Sequence, residues 1–346
     1  MKFIHVADVH LGSVLKRFSS LLSNERNGEI VAAFLKTVDY ARKNDIKTVV
    51  IAGDLFDSNV PLSQDKEVFH SAVKSNPDMT FLYLRGNHDN VADLSLPNLL
   101  TFEDSVKSYE IDGAIFSGVE INDDNYSTFY DEIDFDAKKK NVLILHGEAS
   151  NAAGLDKIDL SRLKGKGIDY LALGHIHSYY EGKIDDKGVY VNPGCLEGRG
   201  FDEKGEKGFV VVDSADFSHE FIVNSLRVVK ELEVDVSETK NVYEALDLAR
   251  KAIDPPSKDV IRIILKGGVK YPSDVRKTLY DSLKNECFYL EVKDETYQAV
   301  KVEDYLNDLS LKGEFIRVAL SDESLSEEDK RRIVALGLNL LDGRKI

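Results

Sequence analysis

Five short polar clusters hold five of the eight histidines of this 346-residue chain, and together their side chains make a donor set for metal ions. They are Asp8-Val9-His10, Gly53-Asp54-Leu55-Phe56-Asp57, Gly86-Asn87-His88-Asp89, His146-Gly147 and Gly174-His175-Ile176-His177. The candidate ligands are Asp8, His10, Asp54, Asn87, His146, His175 and His177. Imidazole mixed with carboxylate suits manganese, iron or zinc better than calcium or magnesium alone. Seven protein ligands exceed what one tetrahedral zinc can use. They fit two ions with one carboxylate bridging. Ions about 3.5–4 Å apart are a device for phosphoester hydrolysis: one holds and acidifies a water, and both neutralise phosphate oxygens.

Taken singly, each cluster has an ordinary explanation. Asp-x-His occurs often by chance, and Gly, Asn and Asp favour turns. A lone histidine after an apolar run, such as His146, is commonly a satisfied core residue. Gly-His-x-His is more telling, because alternate residues of a strand share one face. The metal reading rests on the five together, each directly behind an apolar strand-like run: 3–7, 48–52, 80–84, 141–145 and 170–173. A buried sheet brings the ends of neighbouring strands to one rim, so groups spread over half the chain can converge.

The elements that must do this are legible in outline. Helices are expected over 27–44, with Ile30, Ala33, Phe34, Val38 and Ala41 on one face, and over 63–76, with Val68, Phe69, Ala72 and Val73 inward. Strand–helix–strand order predicts parallel pairing. Further strands are expected at 114–120, 189–192, 208–213 and 219–224, and 121–137 reads as an acidic surface loop. The pattern changes near Arg227 to strand (228–236), helix (242–253), strand (260–267), helix (273–284), strand (287–293), with Pro255-Pro256 ending the first of these helices. A polar tail then closes on a helix with Ser326 as N-cap, acidic residues 327–329 in its first turn, and an apolar stripe of Ile333, Leu336, Leu340 and Leu341. That stripe would either fold back on its own domain or dock on a partner. The expected domains are therefore 1–225, 226–294 and 295–346.

Composition narrows the function classes. The formal net charge of −16 opposes binding nucleic acid through a general field. Phosphate must instead meet a local positive site, and two divalent ions less the charges of Asp8 and Asp54 leave roughly +2 there. Two distant cysteines, Cys195 and Cys287, fit a reducing compartment. The chain enters a strand at once, so no signal peptide is expected, and no apolar run nears the ~20 residues that span a bilayer. A soluble, cytoplasmic protein without membrane attachment is expected.

The order of clusters resembles the calcineurin-like metallophosphoesterases. His5-Val6-Ala7-Asp8-Val9-His10-Leu11-Gly12, Ala52-Gly53-Asp54-Leu55-Phe56-Asp57 and the stretch from Asn192-Pro193-Gly194-Cys195 through Arg199-Gly200-Phe201-Asp202-Glu203 to Gly205-Glu206-Lys207-Gly208 are similar to the SbcD-type DNA repair exonucleases. The likeness covers about residues 1–213. It implies an α/β fold, a sandwich of two mixed β-sheets flanked by helices, with a smaller α+β capping domain. It implies one ion on Asp8, His10 and His177, a second on Asn87, His146 and His175, and Asp54 bridging. His88 then resembles the catalytic histidine that protonates the leaving oxygen while a metal-bound hydroxide attacks in line. Asp89 would orient or cap its own loop. Asp57 stands where some members carry a histidine and reads as support for a ligand histidine.

Manganese is the expected metal, with iron and zinc as alternatives. DNA is the implied substrate and a coiled-coil SMC-like ATPase of the SbcC type the implied partner, since no Gly-x-x-x-x-Gly-Lys-Ser/Thr stretch is present here; a homodimer is a further expected assembly. The rival readings are a small-molecule phosphodiesterase or phosphatase on the same metal core, which the acidic surface favours, and a non-catalytic metal-stabilised scaffold, for which His88 would have no use. Arg85 and Arg199 are candidates for touching phosphate, against the plain alternative of a salt-bridged arginine. Tyr179-Tyr180 reads as a stacking platform or as wall. His5 and Cys195 read as packing residues, and His70 and His219 as ordinary surface or half-buried ones.

Overall fold

A computed structural model describes residues 1–15, 19–89, 94–253, 257–269, 275–299, 305 and 307–341. The chain forms two compact units, Met1–Val228 and Val229–Ile346. In the first, β1 (Lys2–Val6), α1 (Ser20–Lys43), β2 (Thr48–Ala52), α2 (Ser63–Lys74), β3 (Thr80–Leu84) and β4 (Leu99–Thr101) are followed by β5 (Lys107–Ile111), β6 (Ala114–Gly118) and β7 (Lys140–His146). Then come β8 (Glu148–Ser150), β9 (Lys157–Asp159), β10 (Tyr170–Gly174), β11 (Tyr180–Lys183), β12 (Val189–Asn192), β13 (Gly208–Asp213) and β14 (His219–Val223).

Two six-stranded mixed sheets result, ordered β14-β13-β1-β2-β3-β4 and β11-β12-β10-β7-β6-β5. The central strands of each run parallel, as apolar runs buried on both faces do. Alternation along β1 shows why. Ile4 and Val6 face α1 and α2, joining Val49, Ile51, Phe81, Ile30, Phe34 and Phe69 in one core. Phe3 faces the other way, into a second core between the sheets with Val50, Leu82, Val142, Ile144, Ala172 and Val210.

Two sequence expectations are corrected in this unit. Helix α1 begins at Ser20, seven residues before position 27, with Ser19 as N-cap accepting from Leu22 N at 3.4 Å. Its early turns escape apolar periodicity because they bury an ion pair, Arg26 with Glu29. Segment 121–137 is not merely a surface loop. It contains a 3-10 turn, Phe129–Glu132, whose Phe129 and Tyr130 pack with Ile133 on the outer face of the second sheet against Leu143, Leu145, Leu171 and Leu173. Its acidic residues are the exposed side of that cover. Of the two readings of Tyr179-Tyr180, the contacts favour wall: Tyr179 tilts on Phe221 at 4.8 Å between centroids and donates to Glu181, and the Tyr180 hydroxyl accepts from Ala149 N at 3.1 Å.

The second unit opens with β15 (Val229–Asp235), α3 (Val242–Ile253), β16 (Val260–Val269), α4 (Val275–Leu283) and β17 (Tyr289–Gln298), all three strands parallel in the order β15-β16-β17. Pro255-Pro256 and Ser273 lie outside the described residues. The last strand runs five residues past the expected 293, because ten-residue pairing with β16 sustains it. The expected polar tail holds an unforeseen helix, α5 (Leu311–Ser321), packed on α6 (Glu327–Leu341). Helix α6 buries Val334, Ala335 and Leu338 with Ile333 beside them, while Leu336, Leu340 and Leu341 are exposed. The expected apolar stripe is thus rotated: α5 claims the neighbouring face. No described helix is long and apolar enough to cross a membrane.

His5 is fully buried at the sheet interface, its Nδ1 3.0 Å from the Tyr170 hydroxyl and its Nε2 3.0 Å from Leu173 O. A neutral ring satisfies both, donating from Nε2 to the carbonyl and accepting from the phenol. Burial dominates its titration and pushes its pKa down to about 3. Because the unfolded ring takes a proton near 6.5, this contribution to stability is complete above that pH and is lost as pH falls from about 6.5 towards 3, by about 1.4 kcal/mol per pH unit. Urea unfolding midpoints of wild type and His5→Gln, compared at pH 6.5 and 5, should show the wild type losing about 1–2 kcal/mol more than the variant. Parallel pH curves would refute the assignment.

Candidate metal centre

The five clusters meet because strand ends from both sheets share a rim and are stitched to one another beyond it. After β1 and β2 end, Asp8 N donates to Gly53 O at 3.1 Å, His10 N to Asp54 O at 3.0 Å and Leu11 N to Leu55 O at 2.9 Å. The third cluster is tied to the second by Asp89, which accepts from Leu55 N at 2.8 Å, Phe56 N at 2.7 Å and the Tyr83 hydroxyl at 2.9 Å. Asp89 therefore caps the Asp54 loop rather than its own, contrary to the expectation from sequence; only folding brings β2 and β3 side by side. His88 N donates to Asp54 Oδ1 at 2.9 Å, and a Cβ on Gly86 would collide with Asp54.

The second sheet arrives from the other side. Gly174 and His146 are register partners on β10 and β7. His146 Nδ1 donates to Ala52 O at 2.9 Å, and His175 N donates to both Asp8 carboxylate oxygens at 3.0 Å. Asp8, His10, Asp54 and His175 all take positive φ, 50°, 52°, 50° and 92°. These are four of the seven such non-glycine residues among those described. Left-handed backbone at a non-glycine costs on the order of 1–3 kcal/mol, so its concentration at four of the seven candidate ligands marks a built site.

All seven candidates converge. His10 Nε2 and His177 Nε2 are 3.2 Å apart. Asp54 Oδ2 lies 3.8 Å from His10 Nε2 and 3.5 Å from His146 Nε2, and Asp8 Oδ1 is 3.8 Å from His177 Nε2. Asn87 Oδ1 is 3.0 Å from His146 Nε2 and 3.2 Å from His175 Nδ1. Asp8, His10 and His177 form one group whose donor atoms lie within 4.8 Å of one another, and Asp8, Asp54 and His146 form another.

The donor chemistry fits cations. His177 Nδ1 is 2.7 Å from Glu203 Oε1, and His10 Nδ1 is 3.0 Å from Asp57 Oδ1, the latter close but poorly aligned as a hydrogen bond. The carboxylates favour a proton at each Nδ1, which turns the two Nε2 atoms, 3.2 Å apart, towards one shared position. Such an arrangement is repulsive unless positive charge lies among them. The ionisation of the side chains points the same way. Burial works to raise the Asp54 carboxyl, but hydrogen bonding and charge from His146, with His10 and His88 N, hold it well below the usual carboxylate range. Burial works to lower His146, but Asp54 and Asp8 outweigh it and lift His146 to about 9. Two divalent ions would be held by Asp8, His10, Asp54, Asn87, His146, His175 and His177.

Other expected site residues are placed as follows. The exposed His88 ring lies edge-on to His10 with centroids 5.3 Å apart, and no hydrogen bond engages it among the described residues. Arg85 is turned to Glu120, with Nε 2.8 Å from both carboxylate oxygens. Arg199 points inward, donating to Asp57 Oδ1 at 2.8 Å and to Glu203 Oε1 at 2.7 Å. Both arginines take the salt-bridged alternative. Sequence reasoning missed Glu203, although it ends the Gly-rich stretch 192–203, and its four-residue spacing from Arg199 was the available signal.

The three-way Asp89 cap predicts a stability cost. Asp89→Ala strands two buried N–H groups and the Tyr83 hydroxyl, and should cost about 2–4 kcal/mol, read from the denaturant midpoint; Asp89→Asn, which keeps one acceptor, should cost less. A loss under about 1 kcal/mol would show the cap to be dispensable.

The chain is 26% identical over 375 residues to the DNA double-strand break repair protein Mre11 of Saccharolobus solfataricus, covering 98% of this chain and 95% of the relative. It is 24% identical over 385 residues to the protein of that name from Sulfolobus acidocaldarius, covering 97% of each. It is 25% identical over 299 residues to the uncharacterized metallophosphoesterase YhaO of Bacillus subtilis, covering 77% and 72%. The family model of the calcineurin-like phosphoesterase superfamily domain matches residues 1–216, which include every candidate ligand and His88: the chain belongs to the calcineurin-like phosphoesterase superfamily.

Proposed function

We propose that this protein is a two-metal phosphodiesterase that hydrolyses DNA phosphodiester bonds in DNA repair, an SbcD-like nuclease of the cytoplasm. The observation that carries the reading is the convergence of seven donor groups on one rim with the unengaged His88 ring beside them. Two relatives that match over nearly their whole length are named for double-strand break repair, which favours DNA over a small phosphoester. Manganese suits the mixed imidazole and carboxylate donors.

Bound ions would acidify the attacking water and neutralise the phosphate oxygens. The chain's own residues do the rest. Asp8, His10 and His177, and Asn87, His146 and His175, would hold one ion each, with Asp54 shared between them. The stitched loops fix these groups before substrate arrives, so little reorganisation accompanies the reaction. The His88 imidazole, solvent-facing and 5.3 Å from the His10 ring between centroids, would donate a proton to the departing ester oxygen. The partner reading is a coiled-coil ATPase that would bring DNA and ATP dependence to a chain lacking a phosphate-binding loop of its own.

The net charge of −16 favours the alternative, a small-molecule phosphodiesterase or phosphatase. Manganese-loaded protein should degrade linear duplex DNA. Cleavage of bis-p-nitrophenyl phosphate with every form of DNA left intact would transfer the function to small phosphoesters. His88→Ala should lower turnover by about 10²-fold or more while metal analysis still finds two ions per chain. Unchanged turnover would remove His88 from the chemistry, and loss of an ion would make it a ligand.

A further inference from the structure

The histidines of the two proposed ion sites are supported from behind by different chemistry. His10 has the Asp57 carboxylate 3.0 Å from its Nδ1, and His177 has the Glu203 carboxylate 2.7 Å from its Nδ1. His146 has only a neutral carbonyl, Ala52 O, at 2.9 Å. The contact of His175 Nδ1 with Asn87 Oδ1 at 3.2 Å is with a proposed co-ligand and is not backing, and no carboxylate hydrogen-bonds to its ring among the described residues.

A single guanidinium joins the two carboxylates. Arg199 Nη1 donates to Asp57 Oδ1 at 2.8 Å, and Nε and Nη2 donate to Glu203 Oε1 at 3.0 and 2.7 Å. The backbone N of Arg199 also donates to Glu203 Oε2 at 2.6 Å. The Arg199 side chain is 16% exposed and that of Glu203 is 4% exposed, so solvent screens this clamp weakly.

We propose that Arg199 is a positioning residue that makes the two ion sites unequal. By fixing Asp57 behind His10 and Glu203 behind His177, it makes the ion on Asp8, His10 and His177 the tightly held one and the ion on Asn87, His146 and His175 the exchangeable one. A carboxylate behind a ligand imidazole fixes its tautomer and orientation and increases its basicity, and losing such support typically costs about 10–100-fold in metal affinity. A backbone carbonyl orients the ring but lends no full charge. The inference rests on the two-ion reading above.

Manganese titration of the full-length chain by calorimetry, with bound metal counted by elemental analysis, tests it. The wild type should bind two ions with affinities at least about tenfold apart. Arg199→Ala should weaken the tighter step by about 10–100-fold and leave the weaker within about threefold. Glu203→Gln keeps the side chain's shape, serves if Arg199→Ala does not fold, and should also weaken only the tighter step; Arg199→Lys should recover part of the loss. Two steps that fall together, or neither moving, in folded Arg199→Ala or Glu203→Gln protein would overturn the proposal. Failure of the underlying reading looks different: the wild type itself would bind fewer than two ions, or His146→Ala would remove none.

Discussion

Two strand ends from different sheets approach here to the limit of backbone contact, and the rest of the centre depends on that approach. Gly174, the last residue of β10, lies so close to Ala52 O, at the end of β2, that a Cβ would collide with it. The same carbonyl accepts from His146 Nδ1, and His146 is the register neighbour of Gly174. One acceptor at the end of the first sheet therefore sets the position of two strand ends in the second. The inter-sheet core of Phe3, Val50, Leu82, Ile144 and Ala172 holds the layers at that separation, because close-packed interiors resist compression. From this junction, residues 8 and 175 come within a hydrogen bond of each other although 167 positions separate them.

The site is locally unfavourable and globally supported. Four candidate ligands adopt left-handed backbone, and lone pairs and carboxylates are crowded together out of water. Neither feature would survive in an isolated loop. They persist because the loops are hydrogen-bonded to one another on several sides and rooted in strands buried on both faces. Charges farther out are arranged to the same end. Asp57, Glu203 and Arg199 form a chain of alternating sign behind His10 and His177. A second buried group, Arg26 with Glu29 and Glu197, fastens α1 to the loop that leads into Arg199. The active rim is thus braced through residues that would be unremarkable on a surface.

The overall acidity of the chain and the chemistry of phosphate are reconciled by locality. A net charge of −16 acts at long range and is screened over about 10 Å in ordinary salt. The pair of divalent ions proposed for this centre would act at contact. Recognition by such a centre does not need a basic surface, which separates it from modules that hold nucleic acid by their general field.

Much of the centre was legible in the sequence because its parts are local. An apolar run followed by Asp-x-His or Gly-His-x-His states both the strand and the donor at its end, and the family likeness spans those same residues. The βαβαβ order of the second unit was legible for the same reason: period and length suffice. What escaped had no local signature. The first turns of α1 were invisible because they bury an ion pair instead of an apolar stripe, and 121–137 hid its core residues among acidic ones. The face that α6 buries depended on α5. Phe56, which Asp89 caps, Glu120, which holds Arg85, and Asp57, which Arg199 reaches, lie 33, 35 and 142 positions from those residues. The sequence by itself determined which atoms could bind metal and that they sit at strand ends. Only the tertiary structure decided which carboxylate stands behind which histidine, because a charge is assigned its role by what it touches, and those contacts exist only once the two sheets have stacked.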